Sequence, residues 1–417
     1  MPPARCPVAA LSLFSRPEVT GERREAAIHR IQGLAEWLSE TAEPQLGPGA
    51  LHDAFCRALK ARGLPVWRSA LGLEMLHPEL SGTLDIWTDE EMHMDAWQRV
   101  DPHGRRIAKR PVYLNSPIRV VDDTGRMFRR RLDAPIEDMP LLEELRRQGA
   151  TDYVIYPLPF IDRWRTAVLS FATTADTGFT PADLSALERA ARLFSPYAER
   201  HVLRRIAIDL LDTYIGRSAG ERVFEGRIER GDAETIAAAI CFCDLRGFTA
   251  FSDSRPRETV IETLNAWFDC VAGAVVPHGG EILKFLGDGM LVIFPLGGDP
   301  PAACDSALEA ALEAAARMET LNAERAGAGQ ETLDFGLALH VGEVAYGNVG
   351  SQRRLDFTVI GPAVNQASRL QELTKALGRR ILLSGDFAAR IRRPLVALGD
   401  HRLRDVAAPV PVFAPAP

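Results

Sequence analysis

Gly279-Gly280-Glu281-Ile282-Leu283-Lys284-Phe285-Leu286-Gly287-Asp288-Gly289-Met290-Leu291-Val292-Ile293-Phe294 is the stretch on which the fold turns. Two apolar runs, 281–285 and 290–294, flank Gly287-Asp288-Gly289. Such runs read as the strands of a β-hairpin, and Asp-Gly is a preferred hairpin turn. Upstream, the strand-like run Ile236 to Cys243 ends on Asp244, and a helical pattern covers about 256–276. Downstream come a helix over 301–325, strands at 333–340 and 355–360, a helix over 362–377 and a strand at 380–383. The end is strand-like through Val412. Strands alternating with long helices around a central hairpin predict an α/β sandwich, with helices packed on a mixed sheet.

Two carboxylates stand at the turns of this pattern. Asp244 closes an apolar strand before Arg246-Gly247, and Asp288 sits in the hairpin. Either alone is ordinary turn chemistry. Side by side, they would bridge two Mg²⁺ ions, a clamp suited to displacement at phosphorus. Backbone N–H groups in a glycine turn make a concave nest for phosphate oxygens. Asn365 and Arg369 lie four apart on the helix begun near Pro362 and share a face. In isolation they would be a solvated pair.

Three ordered segments together resemble the class III adenylate/guanylate cyclase catalytic domain: CDLRGFTAFSD (243–253), GGEILKFLGDGMLVIF (279–294) and DFTVIGPAVNQASRLQELTK (356–375). The likeness runs from Glu234 to about Phe413 and implies a ferredoxin-like sandwich over 233–417. It implies that Asp244, Asp288 and the Leu245 carbonyl bind metal, two Mg²⁺ (or Mn²⁺) per site. Backbone around Gly247, Phe248 and Thr249 would cradle the pyrophosphate portion. Asn365 would orient the ribose, and Arg369 would stabilise charge on the α-phosphate. Lys284 and Thr358 match the purine-reading positions. A lysine only donates, which suits the N1 acceptor of adenine, whereas guanine carries a proton there. ATP is therefore the expected substrate and 3′,5′-cyclic AMP the product. GTP is the alternative, since many relatives have Asp where Thr358 stands. A third reading is a catalytically silent cyclase-like regulator. A diguanylate cyclase fits poorly, because Gly279-Gly280-Glu281 precedes the strand rather than forming its turn. The terminal phosphates usually meet a Lys-Gly pair. Arg404 is the expected substitute here, with Asp405 in the glycine position expected to alter the loop. In this family the aspartates come from one catalytic domain and the base-reading, Asn and Arg positions from another. One chain with both sets implies a symmetric homodimer through the catalytic domains and connector helices.

The rest of the chain is read by pattern. Residues 1–22 form an irregular, proline-containing tail, and 23–38 an amphipathic helix (Ile28, Ile31, Leu34, Trp37, Leu38), continued at 51–59. Thr180-Pro181-Ala182-Asp183 is a strong helix start opening a connector over 181–232. Pro196 is expected to interrupt or kink that helix, and a partner chain is one candidate for covering its stripe. Leu71-Gly72, His77-Pro78, Trp87, Tyr156-Pro157-Leu158-Pro159, Ser170-Phe171-Ala172-Thr173 and Gly178-Phe179-Thr180 resemble GAF-like sensor domains attached to bacterial cyclases. An α/β regulatory module over 23–180, answering to an unidentified small molecule or protein, is implied; simple dimerisation is the alternative. His77-Pro78-Glu79 and Met92-His93-Met94 lack partners at metal-ligand spacing.

Composition sets the outer limits. A net charge of −7 argues against a nucleic-acid binder. The basic run Arg126, Arg129, Arg130 and Arg131 reads as a solvated face, with an anion site as the alternative. The six cysteines form no disulfide framework, and Cys241 and Cys243 share one strand face in a core. No signal-like or membrane-spanning stretch stands out, so a cytoplasmic location is expected.

Overall fold

The computed structural model describes residues 29, 31–41, 47–74, 80–98, 111–161, 167–406 and 408–416. The expected tail, the start of the first helix and His77-Pro78 lie outside them. Two units emerge, residues 1–210 and 211–417.

The first unit holds helices α1 (Leu34–Thr41), α2 (Pro48–Ala61), α3 (Pro111–Leu114), α4 (Pro117–Thr124) and α5 (Pro140–Arg147). Its strands are β1 (Arg68–Glu74), β2 (Leu80–Thr88), β3 (Met92–Gln98), β4 (Phe128–Arg131), β5 (Asp152–Pro157) and β6 (Ala167–Thr173). They form one antiparallel sheet, ordered β3-β2-β1-β6-β5-β4. Strand alternation splits its apolar side chains between two cores. Leu71, Leu73, Trp87, Val154, Leu169 and Phe171 pack with α1 and α2. Tyr153, Ile155, Val168 and Ala172 pack with α4 and α5.

Helix α6 (Pro181–Ile215) starts on a reciprocal capping box: Asp183 N–H donates to Thr180 Oγ1 and Thr180 N–H to Asp183 Oδ2. It runs on through Pro196, against the expected break. Phe194 and Ala198 are fully buried on either side of that proline, so packing holds the turn whose backbone bond is lost. The stripe Ala186, Leu187, Ala190, Ala191, Phe194, Ala198, Val202 and Ile206 belongs to the first unit's own core. Further along the helix Leu203 and Tyr214 are exposed.

The second unit contains α7 (Arg217–Phe224), β7 (Ala233–Leu245), α8 (Phe248–Ser254), α9 (Arg257–Val275), β8 (Glu281–Leu286), β9 (Gly289–Pro295) and α10 (Pro300–Gly327). It continues with β10 (Phe335–Ser351), β11 (Arg354–Ile360), α11 (Pro362–Ala376), β12 (Ile381–Ser384), α12 (Gly385–Ala388), β13 (Leu395–His401) and β14 (Val410–Pro415). The sheet order is β13-β14-β12-β10-β7-β9-β8, with β11 paired to β10. Only β10–β12 is parallel, so the sheet is mixed. Its heart, β7-α9-β8-β9-α10-β10 in spatial order β10-β7-β9-β8, is the ferredoxin-like βαββαβ arrangement. Cys241 and Cys243 point together into the core with Trp267, Val292 and Phe335, as their spacing predicts. Strand β10 runs on to Ser351, well past the expected end at 340, because it stays paired to β7 as far as Gly347 and β11 folds back alongside residues 345–351.

Candidate active site

The hairpin turn differs by one residue from the Asp-Gly expectation. Leu286 pairs with Gly289, so Gly287 and Asp288 are the two loop residues and Gly287 takes φ +71°. Gly289 is then the first residue of β9, pressed against β7. A methyl group there would stand 3.0 Å from Cys243 O and 3.3 Å from Asp244 Oδ1. Glycine is what allows the hairpin to approach the end of β7. Trp267, wholly buried on α9, donates its indole N–H to Asp288 O (2.8 Å) and pins the turn from behind.

The two carboxyls are neighbours where the hairpin turn closes on the end of β7. Burial first, and the adjacent Asp288 second, push the Asp244 carboxyl up to about 7. Asp244 Oδ1 is buried with no hydrogen-bond partner. A buried oxygen left bare beside a second carboxylate is costly unless a proton or a cation sits there. Among the described residues no cluster of three or more His, Cys, Asp or Glu could complete a protein-only cage. Two hard carboxylate ligands fit a Mg²⁺- or Mn²⁺-type ion whose remaining ligands are phosphates and water. Leu245, whose carbonyl is the third expected ligand, ends β7 and is buried.

Immediately beyond, Gly247 takes φ +73° and opens α8 without a side-chain cap. The first-turn N–H groups of this helix, Phe248 and Thr249 among them, have no intrahelical acceptors. Arg246 fastens the turn to the sheet: its guanidinium donates to Asp334 Oδ2 (2.7 Å), Thr374 O (3.1 Å) and Arg379 O (2.7 Å).

The remaining expected residues fall into two groups. Lys284 on β8 meets Asp356 on β11, Nζ to Oδ2 at 3.2 Å. Thr358, two residues further along β11, is 5% exposed and its Oγ1 has no partner. Asn365 is exposed on α11, one turn before Arg369. Arg369 Nη1 donates to Glu372 Oε1 (2.6 Å), and Arg404 Nη2 lies 4.0 Å from the same oxygen. Two cations thus converge on one carboxylate. Asp405 takes φ +62°, alone in that region among the described non-glycine residues, and so supplies the left-handed turn a glycine would give.

Asp356, Glu372 and Trp267 had not stood out in the sequence. The Arg369–Glu372 spacing of three on a helix was a readable signal. Asp356 lies 72 residues from Lys284, and Trp267 carries no local mark of its turn contact.

His93 and three of the four arginines of the basic run have partners within the first unit. His93 pairs with Asp95 (2.9 Å). Arg129 and Arg130 pair with Asp152 (2.6 Å) and Asp138 (2.7 Å), and Arg131 donates to Thr177 O (2.6 Å). Arg129, Arg130 and Arg131 thus brace the first unit internally. Among the described residues no helix is long and apolar enough to cross a membrane.

Residues 232–400 match the family model of the adenylate and guanylate cyclase catalytic domain. An adenylate cyclase of Anabaena cylindrica is 35% identical over 171 residues, 40% of this chain and 33% of that protein. Adenylate cyclase 1 of Rhizobium meliloti is 28% identical over 231 residues, 54% of this chain and 32% of that protein. The chain spans about a third of the length of these curated relatives. The crystal structure of the guanylyl cyclase Cya2 aligns at 27% identity and a TM-score of 0.40, covering 43% of this chain and 92% of that one. Residues 232–400 form a class III adenylate/guanylate cyclase catalytic domain.

Proposed function

We propose that the chain is an adenylate cyclase, converting ATP to 3′,5′-cyclic AMP and pyrophosphate. The observation that carries the reading is the Asp244–Asp288 pair, two carboxyls held together with a buried oxygen unsatisfied. Asp244, Asp288 and the Leu245 carbonyl would hold the metal. When bound, Mg²⁺ or Mn²⁺ supplies Lewis acidity to the ribose 3′-hydroxyl and countercharge to the triphosphate.

The chain's own residues do the rest by position and charge. The ribose 3′-hydroxyl loses its proton to water as its oxygen attacks the α-phosphorus in line and pyrophosphate departs, so nothing need bond to the protein. The backbone N–H groups from Gly247 to Thr249 bind phosphate oxygens. Asn365 orients the ribose. Arg369, released from Glu372 to the substrate, presents a planar fork to the α-phosphate oxygens, with Arg404 beside it for the terminal phosphates. Lys284 donates to adenine N1 and Thr358 accepts from the 6-amino group. The adenylate cyclase relatives support ATP over GTP.

Two copies complete the site, one giving the aspartates and the other Lys284, Thr358, Asn365 and Arg369. Phe285 and Leu286 on β8 and Leu355 and Ile360 on β11 are exposed apolar side chains beside those residues, which supports a dimer surface there. The first unit is a GAF-like sensor acting on the catalytic unit. Its sheet, with helices on both faces, supports that module type. A cytoplasmic location follows from this reading of the whole chain.

The test is product formation from ATP and from GTP with Mn²⁺ or Mg²⁺. Cyclic AMP with little cyclic GMP supports the reading; cyclic GMP as the main product reverses the substrate assignment. Mixing an Asp244→Ala chain with an Arg369→Ala chain should restore about a quarter of wild-type activity, because half the random dimers carry one intact site of two. Inactive mixtures containing proven heterodimers would rule out shared sites.

A further inference from the structure

The purine-reading lysine has a carboxylate beside it. Lys284 Nζ and Asp356 Oδ2 stand 3.2 Å apart, joining β8 to β11, with the lysine side chain 29% and the aspartate 51% exposed. Asp356 and Thr358 are separated by one residue on a strand and so share a face. The intervening Phe357, with Val359, turns the other way into a core that includes Tyr346 and Val344. The face thus presents a cation, a carboxylate and the buried, unpartnered hydroxyl oxygen of Thr358.

Hydrogen-bond inventory gives each group a different preference. The ammonium only donates and matches the adenine N1 acceptor. The hydroxyl both donates and accepts, so it discriminates little. An ionised carboxylate only accepts, and the matching purine edge is guanine, which offers N1–H and the 2-amino group side by side. In this chain that carboxylate is occupied by Lys284. Its Oδ2 accepts from the lysine ammonium at 3.2 Å.

We propose that Asp356 is a specificity-determining residue: engaged by Lys284 it positions the ammonium for adenine, and disengaged it is a ready acceptor for guanine. This inference rests on the cyclase reading above. ATP preference is then a property of the Lys284–Asp356 pair rather than of the lysine alone. Asp356→Asn leaves the lysine charged but untethered, so KM for ATP rises several-fold while kcat changes less. Lys284→Met bares the carboxylate and moves preference toward GTP.

The experiment compares the full-length wild type with Lys284→Met, Asp356→Asn and the double variant. Two readings are taken on each: the ratio of kcat/KM for GTP and ATP with Mn²⁺, and the ratio of equilibrium affinities for fluorescent GTP and ATP derivatives. Lys284→Met should raise both ratios by about 10-fold, the scale set by gaining or losing one well-made polar contact. Adding Asp356→Asn should remove most of that rise. An unchanged ratio in Lys284→Met, or a double variant equal to it, overturns the proposal. The binding ratio decides the matter if a variant is too slow to assay. A folded wild type that binds both nucleotides but turns over neither would instead contradict the underlying cyclase reading.

Discussion

Asp152 and Asp244 are both aspartates at strand termini, each beside a basic brace, and the protein treats them in opposite ways. Asp152, at the start of β5 in the first unit, is completely buried and completely satisfied. Arg129 pairs with it at 2.6 Å, and the N–H groups of Tyr153 and Phe179 donate to it at 3.0 Å. Asp244, near the end of β7, has a buried oxygen with no partner and a second carboxyl for a neighbour. Its nearby arginine, Arg246, is turned away to Asp334 and two carbonyls. The first arrangement stabilises a fold. The second leaves electrostatic demand unmet in the protein alone, and that demand is what a metal-nucleotide complex can supply.

The largest effects should separate the two aspartates by what is lost. Asp244→Asn is expected to cut cyclic nucleotide formation by about 10³-fold, or ~4 kcal/mol of transition-state stabilisation, with the chain still cooperatively folded. Chelation of divalent metal should do the same reversibly. Asp152→Ala leaves Arg129 without its buried partner, and should cost about 3–5 kcal/mol of stability, read by denaturant unfolding. Removal of Asp152 producing no destabilisation would break the comparison.

A smaller effect has the opposite sign. In metal-free buffer at pH 8, Asp288→Asn should stabilise the second unit by about 1 kcal/mol, because it removes like-charge repulsion beside Asp244. Mn²⁺ should stabilise the wild type more than the variant, narrowing or reversing the gap.

The smallest prediction concerns an aspartate of the first unit's sheet. Asp85 on β2 is 3% exposed, and burial pushes its carboxyl up to about 6. A carboxyl raised on folding favours the protonated form. Its stabilising contribution is therefore full below about pH 4 and is lost as pH rises through about 6. Asp85→Asn should flatten this dependence by about 1 kcal/mol, allowing for solvent screening, in unfolding measurements between pH 4 and 8.

The sequence carried most of the second unit, because its signals are local. The 281–294 hairpin, the glycine turn after Asp244 and the Asn365–Arg369 spacing each lie within a few residues and obey one backbone period. What escaped was set by partners distant in the chain. The extension of β10 depends on pairing with β7 and β11, and the Lys284–Asp356 contact spans 72 residues. The passage of α6 through Pro196 depends on a core assembled from β1, β2, β5 and β6. Propensity marks a proline as a helix breaker, but a buried Phe194 and Ala198 outweigh it.

The most direct test is the rate of cyclic AMP formation from ATP by the full chain with Mn²⁺, measured beside the Asp244→Asn chain. The account predicts metal-dependent cyclic AMP release by the wild type and a loss of about 10³-fold in the folded variant. Equal rates in the two chains, or a folded, nucleotide-binding wild type that releases no cyclic nucleotide, would contradict it.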